Sequence, residues 1–125
     1  MLAVLVFVGA GLGGVARWAI GTQFPADSAG FPWPTFLINV SGSLLLGFVY
    51  AVLDGGSPSP EWRTFLGVGV LGGYTTFSTF SHETLRLAQQ GEWQRAGLYV
   101  LASVLCAVAA TLLGLRLASA LVATT

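Results

Sequence analysis

The chain has 125 residues, of which 54% are apolar and 8% charged, and its five acidic and five basic side chains give a net charge of zero. A soluble domain averages about 25% charged residues, so this sequence lacks the polar surface that a protein needs in water. The basic residues are all arginines and do not cluster, which argues against nucleic-acid binding. With Cys106 as the one cysteine, an internal disulfide is excluded.

Long apolar segments predict an all-α membrane protein with four transmembrane helices. A helix needs roughly 20 mainly apolar residues to cross the hydrocarbon core of a bilayer. We predict one four-helix domain over residues 1–125, with spans at 2–22, 33–53, 62–90 and 94–118. Proline and glycine residues between the spans predict turns, among them Pro25, Gly56, Pro58 and Gly91.

The first span carries closely spaced glycines and one arginine. Gly9, Gly11 and Gly14 fit the pattern G-x-G-x-x-G, but a nucleotide site would also need a preceding strand and a correctly spaced acidic residue. We therefore predict no nucleotide binding, and expect Gly9 and Gly13 to allow close helix packing. Arg17 either enriches anions in a vestibule or extends its side chain to the lipid headgroups.

Polar residues follow one face of the second and fourth spans. They recur at multiples of four residues: Thr35, Asn39 and Ser43, then Tyr99, Ser103 and Thr111, with Ala107 at the missing step. An amide in hydrocarbon is costly unless it finds partners. Such residues often hold helices together, which is the favoured interpretation for Thr35 or Ser43 alone. For Asn39 together with Tyr99 and Ser103, we favour a polar track.

The third span contains the sequence Gly-Gly-Tyr-Thr-Thr-Phe-Ser-Thr-Phe at residues 72–80. Two glycines are a poor place to continue a helix, and the hydroxyl side chains compete for backbone groups. We predict a helix broken near its middle, around residues 72–79, with Phe77 and Phe80 on one face. Such breaks are tolerated where they line a cavity, and transport proteins hold ions there. Gly69 and Gly73 form a second pair suited to close packing.

The polar groups of the spans indicate which kind of ion would pass. Proton-coupled transport usually needs an ionisable group in the membrane, and no Asp, Glu or Lys lies well inside a predicted span. His82 and Glu83 are expected near an interface. Hydroxyls, an amide and the positive edges of phenyl rings suit a small anion. No nucleophile or redox centre is visible, so we predict no enzymatic activity.

The arginines give little information on orientation. If the chain crosses four times, they divide three to two between the sides, with Arg17, Arg86 and Arg95 opposite Arg63 and Arg116. The cytoplasmic side usually holds the excess of basic residues. Either orientation, or both, is compatible with this small difference, and so is one orientation set by the slight excess.

These motifs resemble the Fluc/CrcB family of small fluoride channels, in order and spacing, over nearly the whole chain. The resemblance is carried by Gly-Gly-Val-Ala-Arg at 13–17, Asn-Val-Ser-Gly at 39–42, the residues 72–81, and Glu83. It implies an antiparallel, dual-topology homodimer in the cell inner (cytoplasmic) membrane, with two pores between the subunits. Its partners would be fluoride, the bilayer and a second copy of the chain, and it would export fluoride passively.

The resemblance also implies roles for individual residues. A structural sodium ion, Na+, would be held at the dimer centre by the backbone carbonyls of Gly72 and Thr75. Phe77 and Phe80 would face fluoride and Asn39 would be the pore amide. The polar track of the fourth helix would be Tyr99, Ser103 and Thr111. Ala107 departs from the hydroxyl often found at its step, and Tyr74 is bulkier than the leucine often found at its position.

Two other functions remain open on the sequence. A small dual-topology multidrug or cation exporter shares the size and the number of spans, but would need an embedded acidic residue. In a membrane scaffold that transports nothing, the polar stripes would serve packing only.

Overall fold

The computed structural model describes residues 1–24, 30–55 and 59–122, and every regular element in these ranges is helical. In chain order, the elements are α1 (Leu2–Gly21), α2 (Trp33–Asp54), α3 (Pro60–Trp62), the wider π-type helix π1 (Arg63–Leu71), α4 (Gly72–Tyr74), α5 (Phe77–Gln89) and α6 (Trp93–Val122). Gly91 has a φ of 82°, a turn conformation that favours glycine. The other predicted turn residues, Pro25, Gly56 and Pro58, lie outside the described ranges.

Three of these helices are long and apolar enough to cross a membrane. They are α1, α2 and most of α6, and their bounds agree within a few residues with three of the predicted spans. The remaining predicted span, 62–90, is divided between π1, α4 and α5, each shorter than a bilayer requires. Four helical regions therefore fit the chain, and three of them qualify as spans by length and composition.

The chain leaves the helical conformation at two threonines and not at the neighbouring glycines. Gly72 and Gly73 are helical, whereas Thr75 and Thr76 are extended, with ψ angles of 156° and 117°. The Thr75 hydroxyl donates to the Leu71 carbonyl, and the Thr76 hydroxyl oxygen accepts a bond from the Thr79 N–H. In both bonds a hydroxyl side chain pairs with a backbone group near the interruption, as the sequence predicts for these residues.

The expected glycine packing is confirmed. A Cβ on Gly9 would lie 2.9 Å from the Gly69 Cα, and one on Gly13 would lie 2.7 Å from the Tyr74 nitrogen. A Cβ on Gly73 would meet the backbone of Ala10. These positions admit only hydrogen because α1 runs backbone to backbone against π1 and α4.

Aromatic side chains form the core between α2, α5 and α6. Tyr99 is fully buried, and its ring lies 5.1 Å from that of Phe80 and 5.3 Å from that of Phe31. Outside this cluster, large apolar side chains are exposed on the surface of the protomer, including Phe7 at 81% and Leu105 at 66%. Exposed apolar surface on this scale suits lipid or another protein chain and does not suit water.

Candidate functional site

A cavity of about 400 Å³ lies between α2, the π1–α4 segment, α5 and α6. It brings together six of the predicted site residues: Asn39, Gly72, Thr75, Phe77, Phe80 and Ser103. Ala107, the missing step of the α6 stripe, also lines it. Tyr99, Thr111 and Arg17 do not line this cavity.

Asn39 joins α2 to the extended threonines. Its Nδ2 donates to the Thr76 carbonyl at 3.1 Å, and its Oδ1 accepts from the Thr76 N–H at 2.8 Å. The amide thus pairs with both the N–H and the C=O of Thr76, which have no helical partners. Buried backbone groups require such partners. Within the described residues, the second N–H of the Asn39 amide has no acceptor.

Two helix ends of opposite polarity meet at this point. In a continued α-helix the Thr76 N–H would bond the Gly72 carbonyl, but it donates to Asn39 instead. The Gly72 carbonyl therefore lacks its helical partner, at the negative end of the helical run over residues 60–74. The positive end of α5 begins immediately afterwards at Phe77. Carbonyl oxygens that suit a cation thus adjoin N–H groups that suit an anion.

The two phenylalanines share a contact and differ in exposure. The rings of Phe77 and Phe80 are 5.5 Å apart and both line the cavity. Phe80 is only 9% exposed and packs on Tyr99, whereas Phe77 is 78% exposed and projects from the surface of the protomer. The cavity is therefore bordered by one fixed ring and one ring without a full set of neighbours in a single chain.

The three polar residues of the predicted α6 track have different surroundings. Ser103 is 8% exposed, and its Oγ is buried without a hydrogen-bond partner within the described residues. Tyr99 donates its hydroxyl to Glu83 at 2.7 Å, and Thr111 donates to the Ala107 carbonyl. Ser103 is thus the one of the three that presents an unsatisfied hydroxyl at the cavity.

A polar network around Glu83 extends the site to two residues, Glu83 and Thr35, that were not predicted as site residues. Glu83 is half-buried and accepts hydrogen bonds from Thr35 at 2.9 Å and Tyr99 at 2.7 Å, which ties α5 to α2 and α6. The sequence suggested an interfacial position because Glu83 follows the apolar stretch directly. Thr35 and Tyr99 are 48 and 16 residues from Glu83 in the sequence, so a local sequence pattern could not predict this network. Tyr50, another cavity residue, was also not singled out.

In the part of the chain that the structure describes, no charged residue lines the cavity. Arg17 is half-buried on α1, four residues before its end. Arg63 pairs with Asp54, which links the start of π1 to the end of α2, and both side chains are largely exposed. Such surface pairs contribute about 0–1 kcal/mol. The role of Arg17 in a vestibule stays a prediction.

Residues 4–115 match the family described as "CrcB-like protein, Camphor Resistance (CrcB)". The chain belongs to this family. Similar proteins named "Fluoride-specific ion channel FluC" occur in Paramagnetospirillum magneticum, with 48% identity over 88% of this chain and 89% of the relative, and in Thermus thermophilus, with 44% identity over 95% and 94%. The relative from Shewanella amazonensis, with the same name, is 42% identical over 90% and 91%.

Family membership and the three long apolar helices identify a multi-pass membrane protein. The family resemblance seen in the sequence is confirmed. The relatives' shared name describes an ion channel and not an enzyme, in agreement with the expectation for this chain.

Proposed function

We propose that this protein is a fluoride-selective ion channel that exports fluoride passively across the cytoplasmic membrane. The name that its relatives share supports fluoride as the transported ion. The main structural support is the hydroxyl of Ser103, which is buried without a hydrogen-bond partner within the described residues, in a cavity that Asn39 and Phe80 also line. Hydroxyl and amide donors, together with the positive edge of a phenyl ring, can replace part of the water around a small anion.

The direction of transport follows from acid chemistry. Hydrogen fluoride enters as a neutral acid and ionises in the less acidic cytoplasm, where the anion is trapped. A selective pore then lets fluoride leave down its electrochemical gradient. The spare N–H of Asn39 and the hydroxyl of Ser103 would bind the anion, and the edges of Phe77 and Phe80 would border its path. No coupled reaction is needed, so a passive pore is sufficient.

We further propose an antiparallel, dual-topology homodimer, because one chain leaves this path incomplete. Phe77 borders the cavity yet is 78% exposed, and exposed Val68 and Val104 flank the same opening. A second chain would cover this side. The balanced arginines are compatible with both orientations. Labelling a C-terminal tag from each side of the membrane should reveal both; a single orientation or an active monomer would contradict the proposal.

We also propose a structural sodium ion at the dimer centre, held by the backbone carbonyls of Gly72 and Thr75. The Gly72 carbonyl has lost its helical partner, and this residue is exposed on the protomer. Free carbonyls at a helix end are suitable ligands for Na+ in membrane proteins. Thr75→Ser should keep the stabilisation of the purified dimer by sodium over choline, whereas Gly72→Val should reduce it. Equal melting temperatures of the parental protein in both salts would overturn this assignment.

Fluoride efflux from proteoliposomes tests the function. We expect the purified protein to release fluoride and retain chloride, relative to protein-free vesicles. The second candidate, a small multidrug or cation exporter, is kept by one observation, the half-buried carboxylate of Glu83. Proton-driven uptake of a cationic dye without fluoride release would favour that exporter. The absence of both fluoride release and dye uptake would favour a scaffold.

A further inference from the structure

The hydroxyl groups of the helices divide into two classes by where their protons go. Five helical hydroxyls donate to a carbonyl of their own helix three or four residues earlier: Ser41 to Ile38, Ser81 to Phe77, Thr84 to Phe80, Thr111 to Ala107 and Ser119 to Leu115. This is the usual way in which a hydroxyl is satisfied inside a helix. A hydroxyl that does not bond its own helix is available to another acceptor.

Ser43 belongs to the second class, with Ser103. Both line the cavity, Ser43 from α2 and Ser103 from α6. No hydrogen bond of the Ser43 hydroxyl is found in residues 1–24, 30–55 and 59–122, although the side chain is half-buried. Ser41, two residues earlier on the same helix, bonds both its own helix and Tyr74. The local helix therefore does not prevent such bonding, and the difference lies in the cavity that Ser43 faces.

The opposite wall lacks a donor side chain where the α6 stripe is interrupted. Ala107 lines the cavity with a methyl group, and its carbonyl already accepts the Thr111 hydroxyl. Next to this point the two helices close together, because a Cβ on Gly47 would meet the Thr111 backbone and one on Gly114 would meet the Leu44 backbone. An anion that moves along the cavity from Ser103 thus meets an apolar step on α6 and an uncommitted hydroxyl on α2.

We infer that Ser43 is an anion-binding residue, which supplies from α2 the hydroxyl that α6 lacks at Ala107. This inference rests on the proposed channel function and specifies its path. A desolvated anion needs several donors at once, and Ser103 provides one. Asn39, one turn before Ser43, donates one N–H of its amide to the Thr76 carbonyl, and its second N–H can bind the anion. Asn39, Ser43 and Ser103 then form a continuous set of donors across two helices.

Fluoride efflux from proteoliposomes, measured for a small set of variants, tests this inference. Ser43→Ala removes the hydroxyl with little change in shape, and we expect efflux to fall about tenfold, the effect of losing one hydrogen bond to a charged group. Adding Ala107→Ser to that variant restores a hydroxyl on the facing wall and should recover most of the rate. Ser119→Ala, which removes an exposed hydroxyl at the end of α6, is the matched control and should release fluoride at the parental rate.

The outcomes separate this inference from the channel proposal. A parental protein that releases no fluoride contradicts the proposed function. A parental protein that conducts, with Ser43→Ala at the rate of Ser119→Ala, overturns only the assignment of Ser43. A slow Ser43→Ala variant that Ala107→Ser does not accelerate also overturns it, because the two positions would then not serve the same anion. Equal elution volumes and melting temperatures of the variants establish that the differences do not come from misfolding.

Discussion

Among the described residues, glycines bring helices together backbone to backbone in two places, where α1 meets π1 and α4 and where α2 meets α6, and the two contacts have different consequences. Where α1 meets π1 and α4, glycines face backbone along several turns, and the contact is closed. Where α2 meets α6, Gly47 and Gly114 close only one part, and the neighbouring part opens into the cavity with Asn39, Ser43 and Ser103. The comparison shows how small residues fix one pair of helices and leave another pair apart to expose donor groups.

Breaking the closed contact should have the largest effect. Gly13→Ala puts a methyl group against the backbone of Val70 and Tyr74, and such overpacking costs about 1–3 kcal/mol, or more when backbone must move. Gly14→Ala is the control because nothing lies within 4 Å of its Cβ position; it should stabilise the helix by roughly 0.5–1 kcal/mol. Thermal unfolding in detergent measures both. Equal melting temperatures would show that the contact is not closed.

Breaking the link between the cavity and the extended threonines should have the next largest effect. Asn39→Leu leaves the N–H and C=O of Thr76 unpaired, at about 1–3 kcal/mol for each buried group. Asn39→Asp retains an acceptor for the N–H, so it should unfold at a higher temperature than Asn39→Leu. Both should abolish fluoride efflux, since leucine offers the anion no donor and a carboxylate repels it. An Asn39→Asp protein that conducts normally would exclude Asn39 from the path.

The two phenylalanines differ in how much the fold depends on them. Phe80→Ile alters a ring packed on Tyr99, and should lower stability by about 1 kcal/mol. Phe77→Ile changes a ring that is 78% exposed on the protomer, and should leave the melting temperature of each chain nearly unchanged. Fluoride efflux should fall sharply in both because the positive ring edge is lost. If both variants conduct at the parental rate, the aromatic edges take no part in conduction.

The smallest effect is expected at the polar network beside the cavity. Tyr99→Phe removes one hydrogen bond to Glu83, and Thr35→Val removes the other. Hydrogen bonds between membrane helices contribute on average about 0.6 kcal/mol, so each variant should lose about that much stability in a denaturant titration. A loss several times larger would show that Glu83 holds α2, α5 and α6 together.

The sequence predicted the features that depend on local pattern. Apolar length placed α1, α2 and α6, and the spacing of Gly9 and Gly13 predicted their backbone contact. It predicted an interruption around residues 72–79, from the two glycines and from the hydroxyl residues that follow them. Within that range, the structure keeps Gly73 helical against Ala10 and interrupts the helix at Thr75 and Thr76, where Asn39 offers partners from 37 residues away.

The part of the candidate site that follows a local sequence pattern was also predicted. Asn39 and Ser103 were recognised as a polar stripe, because a helix face can be read from a spacing of four. Tyr99 belongs to the same stripe, but its hydroxyl is directed to Glu83. Ser43 alone was interpreted as a residue that holds helices together, since a spacing cannot show whether a hydroxyl bonds its own helix. Such distinctions depend on the three-dimensional contacts of α2 with α6.

A cavity-filling pair tests most directly whether fluoride passes through this cavity. Val104 and Leu105 are neighbours on α6 with similar exposures of 52% and 66%, and only Val104 lines the cavity. Fluoride efflux is measured from proteoliposomes of Val104→Trp and Leu105→Trp proteins with matched elution volumes. We expect Val104→Trp to reduce efflux to the level of empty vesicles and Leu105→Trp to retain it. Unchanged efflux through Val104→Trp would contradict a path through this cavity, because the anion would then take another route.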